Sequence, residues 1–130
     1  MSLQDVPVAN EERLARFVLT NRHLRKAEGI TTARAEAFLP YKHVELSVTR
    51  HRDLNEKQIW GAGRCVAIRR ALKLLGRAEI TAANVRQQKL DVRPNEPPRN
   101  HADIVGWPSE KPAQMLYAIE LAATSIYVAA

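Results

Sequence analysis

The stretch Arg99-Asn100-His101-Ala102-Asp103-Ile104-Val105-Gly106-Trp107-Pro108 holds the residue types best suited to chemistry. If residues 101 to 105 form a strand, alternation places His101, Asp103 and Val105 on one face and Ala102 and Ile104 on the other. An imidazole beside a carboxylate suits a general base with an orienting partner, or a pair of metal ligands. The same spacing equally describes a polar strand face with a hydrogen-bonded histidine and no reaction. Gly106 permits an unusual backbone angle, and Trp107, standing before Pro108, is restricted to extended conformations. The indole is expected to plug the core.

A second group, Arg50-His51-Arg52, follows an alternating segment and would stand at a strand exit. Arginine offers phosphate oxygens a planar fork, so the three residues form a candidate phosphate grip. The competing expectation is that Asp53 and Glu56 neutralise them. A third group, Arg22-His23-Leu24-Arg25-Lys26, makes Arg22 and His23 candidate ligand contacts. On a strand those two would project to opposite sides, and a charged turn between core elements explains them as well.

Net charge is +6, and its location matters. Residues 1–77 hold 15 Lys and Arg against 8 Asp and Glu, whereas residues 78–130 hold 5 against 6. Such asymmetry points to an anionic ligand or nucleic acid, or else to a solvated basic face. The single cysteine, Cys65, excludes an intramolecular disulfide and a multi-cysteine zinc cage. No Gly-rich phosphate loop, GxSxG or metal-ligating Cys/His spacing occurs, so no cofactor and no metal are expected. Met1 to Asn10 lacks an apolar run and no segment is long enough to span a bilayer, which makes the cytoplasm the expected location and a membrane an unexpected partner.

These candidates need elements to position them. With 130 residues, 45% of them hydrophobic, the chain is expected to form a single domain over 1–130, with 1–12 disordered. Leu14 to Leu19 begins the periodic part, with Phe17 and Leu19 on one strand face. Thr31-Thr32 caps a helical turn through Ala37, or else Ala35 to Leu39 is extended, and Pro40 ends either. Residues 44 to 50 alternate as a strand, with Val44, Leu46 and Val48 inward and Glu45, Ser47 and Thr49 outward. Asn55 and Gln58 form a capping box for a helix over 56–75, bent at Gly61 or Gly63 and closed by Gly76. Its expected core arc is Cys65, Ile68, Ala71, Leu72, Leu74 and Leu75, opposite a basic stripe of Arg69, Arg70, Lys73 and Arg77.

Further on, Arg77 to Ile80 reads as a short strand, Thr81 as the cap of a helix over 82–88, and Leu90 to Val92 as another strand. Residues 93–100 form a proline-bearing connector. Ser109 is expected to cap a helix over 110–126 that buries Met115, Leu116, Ile119, Ala122, Ala123 and Ile126. Tyr117 and Leu121 widen that apolar surface, so a homodimer through 110–126 is a candidate assembly. The expected fold is α+β, a small and mainly antiparallel sheet packed against two principal helices.

The combination of Phe38-x-Pro40, Leu46-Ser47-Val48-x-Arg50 and His101-Ala102-x-Ile104 with Gly106-Trp107-Pro108 resembles a group of small bacterial proteins over residues 15 to 125. The resemblance implies no activity, cofactor or partner, but it groups Arg50, Ser47 and His101 as members of one site. Two functions follow from the sequence. One is binding of, or action on, a phosphate-containing ligand, nucleotide or RNA, through Arg50, His51, Arg52 and His101, with Asp103 orienting the histidine. The other is a non-catalytic interaction module, accessory or antitoxin-like, that uses the basic helix face and the C-terminal helix.

Overall fold

The computed structural model describes residues 6–40 and 45–130. Residues 1–5 of the segment expected to be disordered, and Val44 of the expected strand core, lie outside the described residues. Residues 6–12, by contrast with that expectation, lie against the body, with Val8 and Glu12 both buried.

Strands β1 (Arg13–Val18), β4 (Leu46–Arg50), β5 (Gly76–Thr81), β6 (Asp91–Pro94), β7 (His101–Val105) and β8 (Ile126–Ala129) form a six-stranded sheet. A separate hairpin joins β2 (Leu24–Ala27) to β3 (Ile30–Ala33), and the helices are α1 (Glu56–Arg69), α2 (Ala82–Gln87) and α3 (Lys111–Thr124). The spatial order is β6-β7-β4-β1-β5-β8, and every pairing is antiparallel. This is the α+β fold expected from the sequence, with α1 and α3 as its two principal helices.

Because paired residues share a face, the register divides the sheet chemically. Leu14, Arg50 and Ile80 line up on one face, as do Leu46 with Ile104 and Val48 with Ala102. That face is almost wholly apolar and packs with Phe38, Val85, Trp107, Ala118 and Leu121, so α2, α3 and the 3-10 turn Ala35–Phe38 cover it. On the other face stand Ala15, Thr49 and Glu79, then Phe17 with Arg77, Ser47 with Asp103, and His101 beside Thr49. Helix α1 covers the middle of this mixed face through Ile59 and Ala67 against Ala15, Phe17 and Leu19.

The apolar arc assigned to α1 from sequence is corrected. Cys65 is exposed, Ile68 is 77% exposed and Leu72 46% exposed, while the buried positions are Ile59, Gly63 and Ala67. The reason lies in Gly63, read from sequence as a break. A Cβ there would stand 2.7 Å from the Phe17 ring, so the helix approaches the sheet on its smallest residues. The helix also ends at Arg69, and Ala71 adopts φ 53°, which removes Leu72 from any continuous arc. Gly76 opens β5 beneath Tyr127 rather than closing the helix. Arg77 likewise leaves the expected basic stripe. It is buried in β5, donates to Glu56 and Glu79, and lies 4.6 Å from the centre of the Trp60 ring, fastening the start of α1 to the sheet.

Helix α3 shows a similar rotation. Leu116 is 67% and Ile119 47% exposed, while Gln114, Ala118 and Leu121 face inward. Its N-cap is Glu110, without a side-chain cap bond, instead of Ser109. The caps foreseen at Asn55 and Thr81 form with both reciprocal bonds. Trp107 is buried as expected, its Nε1 donating to the Ile104 carbonyl at 3.0 Å.

Candidate functional site: a basic cleft beside a serine–histidine pair

Strands β1 and β4 pair over only two positions, Leu14 with Arg50 and Ala15 with Thr49. Beyond them the strands part, and Arg16 occupies the opening. Its Nε donates to the Ala37 carbonyl at 2.9 Å and its Nη1 to the Ser47 carbonyl at 3.0 Å. An arginine between the apolar Leu14 and Val18 on a core-facing strand position was the one sequence signal that could have found this residue.

The opening continues into a cleft of about 330 Å³ on the α1 side of the sheet. Ser47, Thr49 and His101 line its floor, Pro98 one rim, and Arg16, Arg69 and Arg70 its basic side. Arg69 ends α1 and Arg70 caps it, so the helix terminus delivers two exposed guanidinium groups to the cleft. Burial, reinforced by the positive charge of Arg70, lowers the pKa of Arg16 from the usual arginine range to about 10. Arg16 therefore keeps its charge at neutral pH, in surroundings where an anion would be favoured.

On the cleft floor, Ser47 Oγ stands 2.5 Å from His101 Nε2. The other ring nitrogen, Nδ1, is 2.7 Å from the Asn95 carbonyl oxygen. A carbonyl can only accept, so Nδ1 carries the hydrogen and Nε2 presents its lone pair to the serine hydroxyl. Asp103 Oδ1 lies 3.5 Å from the same Nε2, and Asp103 Oδ2 accepts from Asn95 Nδ2 at 2.7 Å. Asn95 thus orients the histidine with its backbone and the aspartate with its side chain, a role the sequence did not reveal. Asn100, fully buried, holds the start of β7 against the end of β4 by donating to the Arg50 and Arg52 carbonyls at 2.9 and 2.8 Å.

The expected residues divide accordingly. Ser47, His101 and Asp103 come together. Arg50 does not join them, because it lies on the opposite sheet face and is fully buried, with Nε and Nη2 donating to the two oxygens of Glu12 at 2.6 and 2.8 Å. The expectation that Asp53 and Glu56 neutralise the strand exit is corrected as well. Asp53 pairs with Arg99 and Glu56 with Arg77, while Glu12, distant in sequence, pairs with Arg50.

His51 is buried near Glu79, at 3.9 Å, and burial pushes its pKa down. With Arg52 it borders a separate shallow depression that also includes Glu11, Glu12 and Arg13. Arg50 is thereby separated from His51 and Arg52, with which it was expected to form one grip. Arg22 is exposed on the 3-10 turn Asn21–His23. His23 is half-buried on that turn, and its pKa is lowered by burial first, then by the charge of Arg16, against the opposing charge of Glu36.

Among the described residues, no group of three or more His, Cys, Asp or Glu side chains could hold a metal ion. No helix among them is long and apolar enough to cross a membrane. The chain has no significant match to a protein-family model, a curated protein or a solved structure.

Proposed function

We propose that the chain binds a phosphate-bearing ligand, a nucleotide or the end of an RNA strand, in the cleft between the sheet and the end of α1. The observation that carries this reading is the convergence of Arg16, Arg69 and Arg70 on the wall of one cleft whose floor is Ser47 and His101. Three guanidinium groups meeting without a carboxylate among the lining residues leave the space electropositive, and their planar forks match phosphate oxygens. The volume of about 330 Å³ lies at the small end of ligand pockets, which suits a mononucleotide rather than a long duplex.

Isothermal titration calorimetry with a nucleoside monophosphate and with a short oligoribonucleotide, at low and moderate salt, tests the reading. The expected result is binding that weakens as salt rises, since exposed Arg69 and Arg70 are screened. At about 1.5–3 kcal/mol per charge-assisted bond, Arg69→Ala with Arg70→Ala should weaken binding by roughly a hundredfold or more. A parent protein that binds neither probe at low salt would overturn it.

The interaction-module reading keeps one specific support. Ile68 and Leu72, expected in the core, are exposed beside Arg64, Arg69 and Lys73, and Leu116 and Ile119 are exposed on α3. An apolar surface with a basic border fits an acidic protein partner, and the α3 surface fits a second copy of this chain. Sedimentation equilibrium separates the latter from a monomer, and Leu116→Lys should abolish any dimer built on that surface.

A further inference from the structure

We propose that Ser47 is the nucleophile of a phosphoryl transfer in the basic cleft, with His101 as its general base and a phosphate monoester as substrate, an inference that rests on the anion-binding reading above. Three features of the site support it. First, the tautomer is determined by the Asn95 carbonyl, so the His101 Nε2 lone pair faces the Ser47 hydroxyl at 2.5 Å, within the reach needed for proton transfer. Second, the hydroxyl is exposed and lies on the cleft floor, whereas Thr49, two residues on, is buried. Third, Asp103 stands 3.5 Å from the nitrogen that would gain the proton, with 6% of its side chain exposed, so a carboxylate faces the imidazolium as it forms.

The step balances without a co-reactant other than water. Ser47 Oγ forms a bond to phosphorus as the bond from phosphorus to the ester oxygen breaks. The serine proton passes to His101 Nε2 and from there to the departing oxygen, which leaves as an alcohol. Water then gives a proton to His101 Nε2 and attacks the phosphoserine. The Oγ–phosphorus bond breaks, Ser47 recovers the proton, and inorganic phosphate is released. Arg16, Arg69 and Arg70 border the position of the phosphoryl oxygens, where fixed positive charge counters the negative charge of the transition state. Arg16 is anchored to the Ser47 carbonyl itself, which ties its position to that of the nucleophile.

Diisopropyl fluorophosphate tests the nucleophile directly, because fluoride leaves without needing an acid. The expected result is one covalent adduct by intact mass, mapped to Ser47 by peptide sequencing and absent from Ser47→Ala. His101→Gln, folded by circular dichroism, should slow labelling by about 10²-fold or more, the usual contribution of a positioned base. Release of p-nitrophenolate from p-nitrophenyl phosphate by the parent, lost in Ser47→Ala, tests the substrate class. Calorimetry with inorganic phosphate runs alongside. Phosphate binding without a Ser47 adduct overturns the nucleophile and leaves the binding reading standing. A parent that binds neither inorganic phosphate nor the nucleotide and oligoribonucleotide probes overturns the binding reading and with it the phosphoryl chemistry. An adduct that forms equally fast in His101→Gln, or a parent protein that is labelled at Ser47 but, before labelling, does not turn over p-nitrophenyl phosphate, also overturns the inference.

Discussion

Glu12→Gln is expected to destabilise the fold strongly while leaving the cleft able to bind anions. Arg50 has 0% of its side chain exposed and Glu12 6%, and the closest contact is 2.6 Å. The Arg93–Glu45 pair is nearly as short at 2.7 Å, but its side chains are 59% and 36% exposed. Closest distance is matched between the two pairs, so their comparison weighs burial together with the second bond that Glu12 accepts from Arg50. Neutralising Glu12 leaves a buried guanidinium whose remaining partners include the carbonyls of Val6 and Pro7, both neutral. Removing one partner of a buried ion pair costs about 3–5 kcal/mol. Removing one partner of an exposed pair costs about 0–1 kcal/mol. Urea unfolding followed by circular dichroism reads the difference. At a slope of about 2 kcal/mol per molar, Glu12→Gln should lower the midpoint by roughly 1.5–2.5 M, and Arg93→Ala should lower it by no more than about 0.5 M. Equal midpoints for the two variants would refute the argument. Loss of nucleotide binding by Glu12→Gln under conditions where it is folded would return Arg50 to the site.

Leu121→Ala should cost about 2–5 kcal/mol, since Leu121 is fully buried against the apolar sheet face, whereas Ile68→Ala, at 77% exposure, should stay within about 0.5 kcal/mol; urea midpoints decide both. Burial lowers the pKa of His51 in the folded state, opposed by Glu79 and assisted by Arg13 and Arg77. The unfolded chain therefore takes up a proton first, so this contribution is complete above about pH 6.5 and is lost as pH falls below it. Urea midpoints at pH 7.5 and pH 5 should fall less in His51→Met than in the parent, and an equal fall would remove the assignment.

What the amino-acid sequence determined by itself was local. The Asn55–Gln58 and Thr81 caps, the strands over 46–50 and 101–105, and the unusual backbone angle of Gly106 each depend on neighbours within a few residues, and each forms as read, although Thr49, expected to face outward, is buried. The adjacency of His101 and Asp103 follows from the same short-range geometry. Helix faces were less legible, because hydrophobicity alone favoured Ile68 and Leu72 over Gly63 and Ala67. Close approach to Phe17 decided the matter, and that contact joins residues 46 apart in sequence. The site depended most on tertiary structure. Antiparallel pairing of β4 with β7 set Ser47 beside His101 and sent Arg50 to the opposite face. The parting of β1 from β4 made room for Arg16, and the early end of α1 brought Arg69 and Arg70 to the same cleft. A run of charge names its residues but not its partners. Arg50 reads in sequence as a phosphate contact or a partner of Asp53 and Glu56 and is neutralised by Glu12 across 38 positions, because only the folded chain determines which charges leave water together.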